Sequence, residues 1–166
     1  MQLSTWAKAR HNDRVKVLGI AVRDNNWKSA VSLVLLEGES GADESTANVI
    51  EQFAVTGDDT EWAAHVGNVA TAVRGHAKSM QPDAVILRRA DQAPQGRNSD
   101  GPKLRLMIEG GIVGACLDVT SNVRVRTGKE CGKARDLSKD DLDSRAGTLV
   151  TKAHSEAAAA ALSAMA

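Results

Sequence analysis

The chain has 166 residues, a length typical of one domain, and its 42% hydrophobic and 25% charged residues exclude wholesale disorder. Its apolar runs are too short to span a bilayer, the N-terminus lacks the apolar stretch of a secretory signal, and the two cysteines show no disulfide pattern, so we expect a cytoplasmic protein without a membrane partner. The formal net charge is zero, unlike the basic charge usual in nucleic-acid-binding domains, and the 2% aromatic content excludes a wide stacking platform for single-stranded nucleic acid.

The first part of the chain predicts an antiparallel sheet. Residues 15–23 are β-branched and apolar, which predicts a central strand. Asp24-Asn25-Asn26 is a turn signal, so residues 27–36 are expected to form the second strand of a hairpin. Residues 37–48 predict a loop, and residues 49–56 predict a short third strand.

A long amphipathic helix is predicted next. Asp58, with Glu61 three residues later, has the spacing of an N-terminal capping box. Apolar residues recur at three- and four-residue steps from Trp62 to Met80 and predict a face packed on a core, and Pro82 ends the helix. His65 lies beside this apolar stripe, so we expect it to be exposed.

The rest of the chain alternates strands and helices, and this order favours a mixed α/β sheet. Cys116 falls on a packing face and is expected to be a small core residue rather than a nucleophile. The predicted elements are a strand over residues 83–89, a polar linker over 90–101, a helix over 101–117 with Pro102 at its first position, a short strand over 122–127, a helix over 139–150 capped by Ser138 with Gly147 as a weak point, and an Ala-rich terminal helix over 155–166.

Two segments complete the organisation of the chain. Residues 1–14 are expected to form a flexible basic N-terminal arm, and residues 15–166 a single domain.

Residues 128–133 are only faintly similar to a phosphate-binding loop, because one residue is missing between the glycines and no hydroxyl residue follows the lysine. The histidines and cysteines lack zinc-ligand spacing, so we expect no metal site of that kind.

The order of elements resembles the RNase H-like fold and, in detail, the RuvC-type Holliday-junction resolvases. The opening strand Val17-Leu18-Gly19-Ile20-Ala21, the strand over residues 83–88, the helix beyond the linker and the acidic start of the last helix at Ser155-Glu156 carry this resemblance. It implies a mixed five-stranded sheet, with an antiparallel hairpin and parallel strands, flanked by helices.

The resemblance also implies a site whose chemistry has changed. Members of the family look like two-metal nucleases, in which carboxylates hold two divalent ions at the scissile phosphate. Here the first-strand acid falls on Ala21, and the fourth-strand acid falls on Leu87 or Arg88. Glu156 on the last helix remains, while the acid one turn earlier falls on Ala153. Ala21, Arg88 and Glu156 are therefore predicted to mark a former metal site that now holds no metal or other cofactor.

A non-catalytic domain that binds nucleic acid or a protein, including a second copy of itself as a homodimer, follows as the leading hypothesis. Residues 84–135 carry ten bases against five acids, whereas residues 37–61 carry eight acids and no base. The basic segment can hold a polyanion, and Arg88 at the former metal position suits a phosphate. Two oppositely charged solvated faces explain the same pattern without a ligand. The residues expected to contact DNA or RNA are Arg88, Arg89, Arg97, Arg126, Lys129 and Lys133.

Two alternatives stay open. The first is a divergent nuclease that uses Mg²⁺ or Mn²⁺ and draws its carboxylates from shifted positions, Asp24, Asp91 and Glu156. The second is a structural or assembly protein, in which the oppositely charged segments associate between copies.

Overall fold

The computed structural model describes residues 14–25, 28–91 and 100–166. The predicted N-terminal arm, apart from Arg14, and most of the predicted linker lie outside these ranges. No helix within them is long and apolar enough to cross a membrane. The elements in chain order are β1 (Val15–Asn25), β2 (Lys28–Gly38), β3 (Asn48–Gly57), α1 (Trp62–Met80), β4 (Ala84–Arg88), α2 (Asp100–Leu117), β5 (Val123–Arg126), α3 (Gly128–Ala134), α4 (Lys139–Ala146), a single 3-10 turn (Lys152–His154) and α5 (Ser155–Ser163).

The strands form one mixed sheet in the order β3-β2-β1-β4-β5. β1, β2 and β3 pair antiparallel in chain order, whereas β1 with β4 and β4 with β5 pair parallel. Parallel neighbours need a crossover connection, which α1 and α2 supply. The predicted mixed five-stranded sheet, with its antiparallel hairpin and its parallel strands, is confirmed.

The β1–β2 hairpin is longer than the sequence indicated. Asp24 and Asn25 were expected in a turn, but they continue β1 and pair with Ser29 and Lys28. The extended ladder gives their backbone groups hydrogen-bond partners that a turn would leave to solvent.

The sheet is covered by helices on both faces. Because successive strand residues point to opposite faces, Leu18, Ile20 and Leu87 pack under α1 and α2. Ala21 and Ile86 face the other side and pack under α4 and α5. The buried core is thus divided into two layers, and Arg88 lies on the α5 side because it follows Leu87.

Helix α1 begins differently from the prediction. The cap residue is Glu61, whose carboxylate accepts a hydrogen bond of 2.7 Å from the amide of Ala64, and Asp58 lies before it. The helix ends at Met80, and Gln81 adopts the left-handed conformation that closes it just before Pro82. The predicted helix and its end are therefore right, and the predicted capping box is wrong.

His65 is fully buried, so the expectation that it is exposed is wrong. Its Nδ1–H donates to the carbonyl of Asp59 (2.7 Å), which leaves Nε2 to accept the hydroxyl proton of Ser29 at 2.7 Å. These bonds join the start of α1 to the start of β2. A histidine with both ring nitrogens satisfied can be buried beside the apolar stripe at little cost.

The C-terminal helices follow the prediction with shorter bounds. Ser138 caps α4 by accepting from the amide of Asp141, and the helix ends at Ala146 because Gly147 serves as its C-cap. Pro102 is the third residue of α2, which begins at Asp100. Cys116 is buried in the core as expected, and burial raises the pKa of its thiol to about 11.

Helix α5 lies directly on β1 because Gly19 has no side chain. A Cβ atom at Gly19 would lie 1.9 Å from the carbonyl oxygen of Ala157 and 2.8 Å from the amide nitrogen of Ala161. The alanines of α5 are all buried at this contact. Glu156 immediately precedes Ala157, so the close approach also fixes its distance from the sheet.

Candidate functional site

One row of paired residues crosses the sheet near the carboxyl ends of β1 and β4. Ala21 pairs with Ser32 on β2 and with Arg88 on β4, and Arg88 pairs with Arg126 on β5. Paired residues share a face of the sheet. The row therefore lies on the face covered by α3, α4 and α5, whereas Leu87 is buried on the opposite face. Of the two candidate positions on β4, Arg88 is the one that faces the site.

Arg88 is buried in an ion pair with Asp143 of α4. Nη1 and Nη2 donate to Oδ1 and Oδ2, the second bond measuring 2.9 Å, and only 2% of the arginine is exposed. Burial acts to lower the pKa of Arg88, but the hydrogen bonds and charge of Asp143 outweigh it, so the pKa lies above its ordinary value. The paired donors match the two carboxylate oxygens, which is the strongest geometry for such a pair.

The start of α3 closes over this ion pair. A Cβ atom at Gly128 would lie 2.5 Å from Nη2 of Arg88 and 2.7 Å from Cε of Lys139, so a side chain at this position would displace the guanidinium or the lysine chain. Lys139 is one turn before Asp143 on α4, and its Nζ lies 3.7 Å from Oδ2 of Asp143. Two cations therefore share one carboxylate at the point where the resemblance places a metal ligand.

An open cavity of about 260 Å³ lies beside the ion pair. Glu156, in the first turn of α5, reaches it, and its negative charge contributes to the raised pKa of Arg88. Ala21, Arg88 and Glu156 therefore come together at one end of the sheet. The cavity has four basic and two acidic side chains in its wall: Arg88, Arg89, Arg105 and Lys139, with Asp91 and Glu156, and Ala90 completes the wall.

Two contacts hold the segment that leads into Glu156. Nη2 of Arg23 donates to the carbonyl of Ala153 at 2.8 Å. Nδ1 of His154 and the hydroxyl of Ser32 share a hydrogen bond, and Ser32 lies in the same cross-strand row as Ala21. Burial, and next the charge of Arg23, hold the pKa of His154 below its ordinary 6.5. The neutral ring is thus the favoured form at this contact.

The residues present do not fit a two-metal site. Among the residues that the structure describes, no group of three or more His, Cys, Asp or Glu side chains lies close enough to hold a metal ion. Asp143 is occupied by Arg88, and Asp91 accepts a 3.2 Å hydrogen bond from the amide of Lys129. Asp24, the third carboxylate of the nuclease alternative, lies in β1, but its side chain is outside the described residues. A guanidinium at position 88 repels a cation.

The six residues predicted to contact nucleic acid have different environments. Arg89, Lys129 and Lys133 are exposed. Arg126 donates from Nη1 to the carbonyl and the hydroxyl of Ser163, both at 3.0 Å, and so holds the end of α5. Arg88 is buried as described above. Arg97 lies outside the described residues.

Three polar residues of the site were missed by the sequence analysis. Asp143 and Lys139 share one face of α4, and Arg105 reaches the cavity from α2. Nε of Arg105 donates to Glu109 at 2.8 Å, and burial raises the pKa of Glu109 although Arg105 lowers it. The only sequence signal for these residues was opposite charges four apart, Lys139 with Asp143 and Arg105 with Glu109, a spacing that is typical of exposed helices as well.

The charge separation in the sequence is in part a separation in space, although Arg135 of the basic segment lies near Asp43 of the acidic one. The eight acids of residues 37–61 lie from the end of β2 to the start of α1, around the β3 edge of the sheet. The exposed bases Arg89, Lys129 and Lys133 lie at the other edge, next to β5. A polyanion therefore meets attraction at the β5 side of the site and repulsion at the β3 side.

Comparison with known proteins identifies the architecture. No protein-family model matches the sequence, and no curated protein sequence matches it. The structure is similar to "Thermus thermophilus RuvC structure", with a TM-score of 0.67 and 16% identity over 90% of this chain and 93% of that chain. RuvC of T. thermophilus in complex with a Holliday junction substrate gives a TM-score of 0.68 and 16% identity over the same shares. The yeast mitochondrial Holliday junction resolvase, Ydc2, gives a TM-score of 0.59 and 11% identity over 90% of this chain and 77% of that chain. The protein therefore has the RNase H-like fold in its RuvC-type form.

Proposed function

We propose that this protein binds nucleic acid at the carboxyl ends of β1 and β4 and does not cleave it. The observation that carries the proposal is the buried ion pair of Arg88 with Asp143 between Ala21 and Glu156. It replaces the negative charge that a nuclease of this fold needs with a paired cation.

The absence of cleavage follows from the chemistry of the side chains. In-line displacement at phosphorus by two metal ions needs several oxygen ligands converging on both ions. Ala21 offers none, Arg88 carries a positive charge, and Asp143 already accepts two hydrogen bonds from Arg88. Of the two carboxylates in the cavity wall, Asp91 accepts a hydrogen bond from the amide of Lys129, and Glu156 alone is too few for such a centre.

Binding is supported by the basic side chains around the cavity. Arg105 and Lys139 contribute to its wall, and the exposed Arg89 stands at its edge. Phosphate contacts of this kind supply most of the affinity of nucleic-acid-binding proteins and carry no sequence information themselves. One structural neighbour was solved in complex with a Holliday junction substrate, which supports DNA as the ligand of this chain.

Arg88 has a positioning role in this proposal. With 2% of its surface exposed and both terminal nitrogens bonded to Asp143, it holds α4 against β4 and keeps Lys139 at the cavity. The direct phosphate contacts are assigned to Arg89, Arg105 and Lys139.

Fluorescence anisotropy with labelled four-way junction, duplex and single-stranded DNA tests the binding. We expect binding at low salt that weakens as salt rises, and Arg89→Ala should weaken it and reduce the slope of log K against log salt by about one. Lys78→Ala is the matched control, because Lys78 is an exposed base in the last turn of α1, on the other face of the sheet. No binding at low ionic strength, or equal losses in both variants, contradicts the proposal.

The same DNAs incubated with Mg²⁺ or Mn²⁺ test the absence of cleavage. The proposal requires intact DNA under conditions in which the protein is bound. Cleavage that disappears in Glu156→Ala establishes the divergent nuclease instead, with Glu156 as a metal ligand.

A further inference from the structure

A second cavity, of about 530 Å³, lies at the ends of β1 and β3 and the start of β2, apart from the cavity of the candidate functional site. Ser29 and Gly57 pair across β2 and β3 and form part of its wall. Arg23, Lys28 and Asp58 bring charged side chains to the same wall. None of these five residues lines the first cavity, so the chemistry of the second one is its own.

Ser29 is hydrogen-bonded to a buried histidine in the arrangement of a serine nucleophile and its base. The hydroxyl of Ser29 lies 2.7 Å from Nε2 of His65, and Nδ1 of His65 lies 2.7 Å from the carbonyl oxygen of Asp59. Since a carbonyl oxygen only accepts hydrogen bonds, Nδ1 carries the proton and Nε2 keeps a lone pair for the hydroxyl. A nucleophilic serine needs a base within hydrogen-bond reach and a third group that orients this base. Here the third group is a backbone carbonyl.

Gly57 keeps the space beside this pair free of a side chain. A Cβ atom at position 57 would lie 3.0 Å from Oγ of Ser29 and 3.0 Å from Nε2 of His65. Because Gly57 is also part of the cavity wall, the hydrogen-bonded pair adjoins that wall. Ser29 is 3% exposed, whereas His65 has no exposed surface. The base is therefore shielded from water, and the nucleophile borders the cavity.

The charge of the wall favours a ligand with a negative group. Arg23 and Lys28 are both exposed and face only one acid, Asp58. The guanidinium of Arg23 is held by its 2.8 Å bond to the carbonyl of Ala153. Lys28 has no hydrogen-bond or ion-pair partner among the residues that the structure describes, so its ammonium group is available to an anion. Two bases against one acid attract an anionic ligand into the cavity.

We propose that Ser29 and His65 hydrolyse carboxylic esters that carry a negatively charged group and bind in this cavity. Oγ of Ser29 attacks the ester carbonyl carbon while its proton passes to Nε2 of His65. The bond from that carbon to the alcohol oxygen breaks, and the leaving oxygen takes the proton from Nε2, which leaves the acyl group on Ser29. Water then attacks the acyl carbon and gives its proton to Nε2. This proton returns to Oγ as the acyl–serine bond breaks and the carboxylic acid leaves. The inference does not depend on nucleic-acid binding.

Labelling of the full chain with a fluorophosphonate, which reacts with activated serines, tests the nucleophile. We expect mass spectrometry to find the adduct on Ser29, and Ser29→Ala should abolish it. His65→Gln should slow the labelling roughly a hundredfold, because the hydroxyl loses its base. Ser79→Ala is the matched control: Ser79 is an exposed serine on α1 whose hydroxyl bonds to the carbonyl of Gly75, and its removal should leave the labelling rate unchanged. Circular dichroism checks that each variant is folded.

Two esters of para-nitrophenol test the charge of the substrate. Lys28→Ala should lower kcat/KM roughly fivefold for the hemisuccinate, which is anionic, because an exposed ion pair is lost. The same variant should leave kcat/KM for the neutral acetate nearly unchanged. Lys28 is exposed, so this comparison does not depend on a change in the core. Wild-type protein that is not labelled, an adduct that persists in Ser29→Ala, or an equal effect of Lys28→Ala on both esters overturns the proposal.

Discussion

Ala21 and Arg88 are paired directly across neighbouring parallel strands, and neither side chain offers an oxygen atom to a metal ion. Both lie in the cross-strand row that also contains Ser32, whose hydroxyl contacts His154 just before α5. The resemblance to the RuvC-type fold implies acidic residues at these two positions. Here a methyl group and a guanidinium stand in their place. Asp143, on a helix for which the resemblance implies no metal ligand, balances the guanidinium.

Restoring acids at this pair should create a cation site. Ala21→Asp with Arg88→Glu adds two carboxylates to Asp143 and Glu156 at the same end of the sheet, giving the oxygen ligands that Mg²⁺ and Mn²⁺ prefer. We expect the thermal unfolding temperature of the double variant to rise with the concentration of Mn²⁺, because binding stabilises the folded state. The wild-type protein should show no such rise.

A control separates ligation from a change in net charge. Ala21→Asp with Lys129→Glu introduces the same charges, but Lys129 is exposed outside the cavity wall, so its unfolding temperature should not depend on Mn²⁺. An equal Mn²⁺-dependent rise in the wild-type protein would contradict the view that its site does not fit a metal.

Removing Asp143 should destabilise the protein strongly. Asp143→Ala leaves the charge of Arg88 buried without its partner, which we expect to cost about 3 kcal/mol in urea unfolding. Replacing both residues, Arg88→Met with Asp143→Leu, should recover most of that loss, because two packed apolar side chains need no compensation. Asp140→Ala is the control: its side chain is 96% exposed on the same helix, and its removal should change the free energy of unfolding by less than about 0.5 kcal/mol. A loss below about 1 kcal/mol for Asp143→Ala would mean that the pair does not hold α4 in place.

The elements of the fold could be predicted because their signals are local. The apolar run of β1, the three- and four-residue steps of α1 and the cap at Ser138 each lie within a short segment, and each element formed there. The residues at which strands and helices end were less predictable. Asp24 and Asn25 favour turns on their own, but pairing with β2 keeps them in the strand.

The site could not be predicted in the same way, because it is formed by contacts between residues far apart in the sequence. Asp143 lies among the charged residues of α4, where it resembles a solvated side chain, and its partner is Arg88, 55 residues away. His65 was placed outside the core for the same reason, because its partner Ser29 is 36 residues distant. Glu156 was placed near Arg88 through the resemblance rather than through any pattern of the residues themselves.

Gly19 should not tolerate a side chain. Gly19→Ala would place Cβ 1.9 Å from the carbonyl oxygen of Ala157, so α5 must move away from β1. We expect a loss of about 3 kcal/mol in the free energy of urea unfolding, the upper end for overpacked cores. Gly67→Ala, at an exposed position of α1 where an added Cβ meets nothing within 4 Å, should instead stabilise the protein by about 1 kcal/mol. If both variants were equally stable, the close packing of α5 on β1 would be wrong.

The contact of His154 with Ser32 should make stability depend on pH in a defined direction. Burial and the charge of Arg23 lower the pKa of His154 in the folded protein below its ordinary 6.5, whereas unfolding restores that value. Above the ordinary pKa the ring is neutral in both states, and its contribution to stability is fully present. As the pH falls through this window, the unfolded chain binds the proton more readily, so the folded state loses stability.

His154→Asn keeps a hydrogen-bonding atom near the position of Nδ1 but does not titrate. We therefore expect the free energy of unfolding of the wild-type protein, measured in urea between about pH 5 and 8, to decline relative to that of His154→Asn only in the acidic part of the range. Burial raises the pKa of Glu109, so its protonation stabilises the folded state as the pH falls. Glu109 is present in both proteins, and its contribution therefore cancels in the comparison. A wild-type protein that gains stability relative to His154→Asn as the pH falls would show that the charged ring is favoured at Ser32.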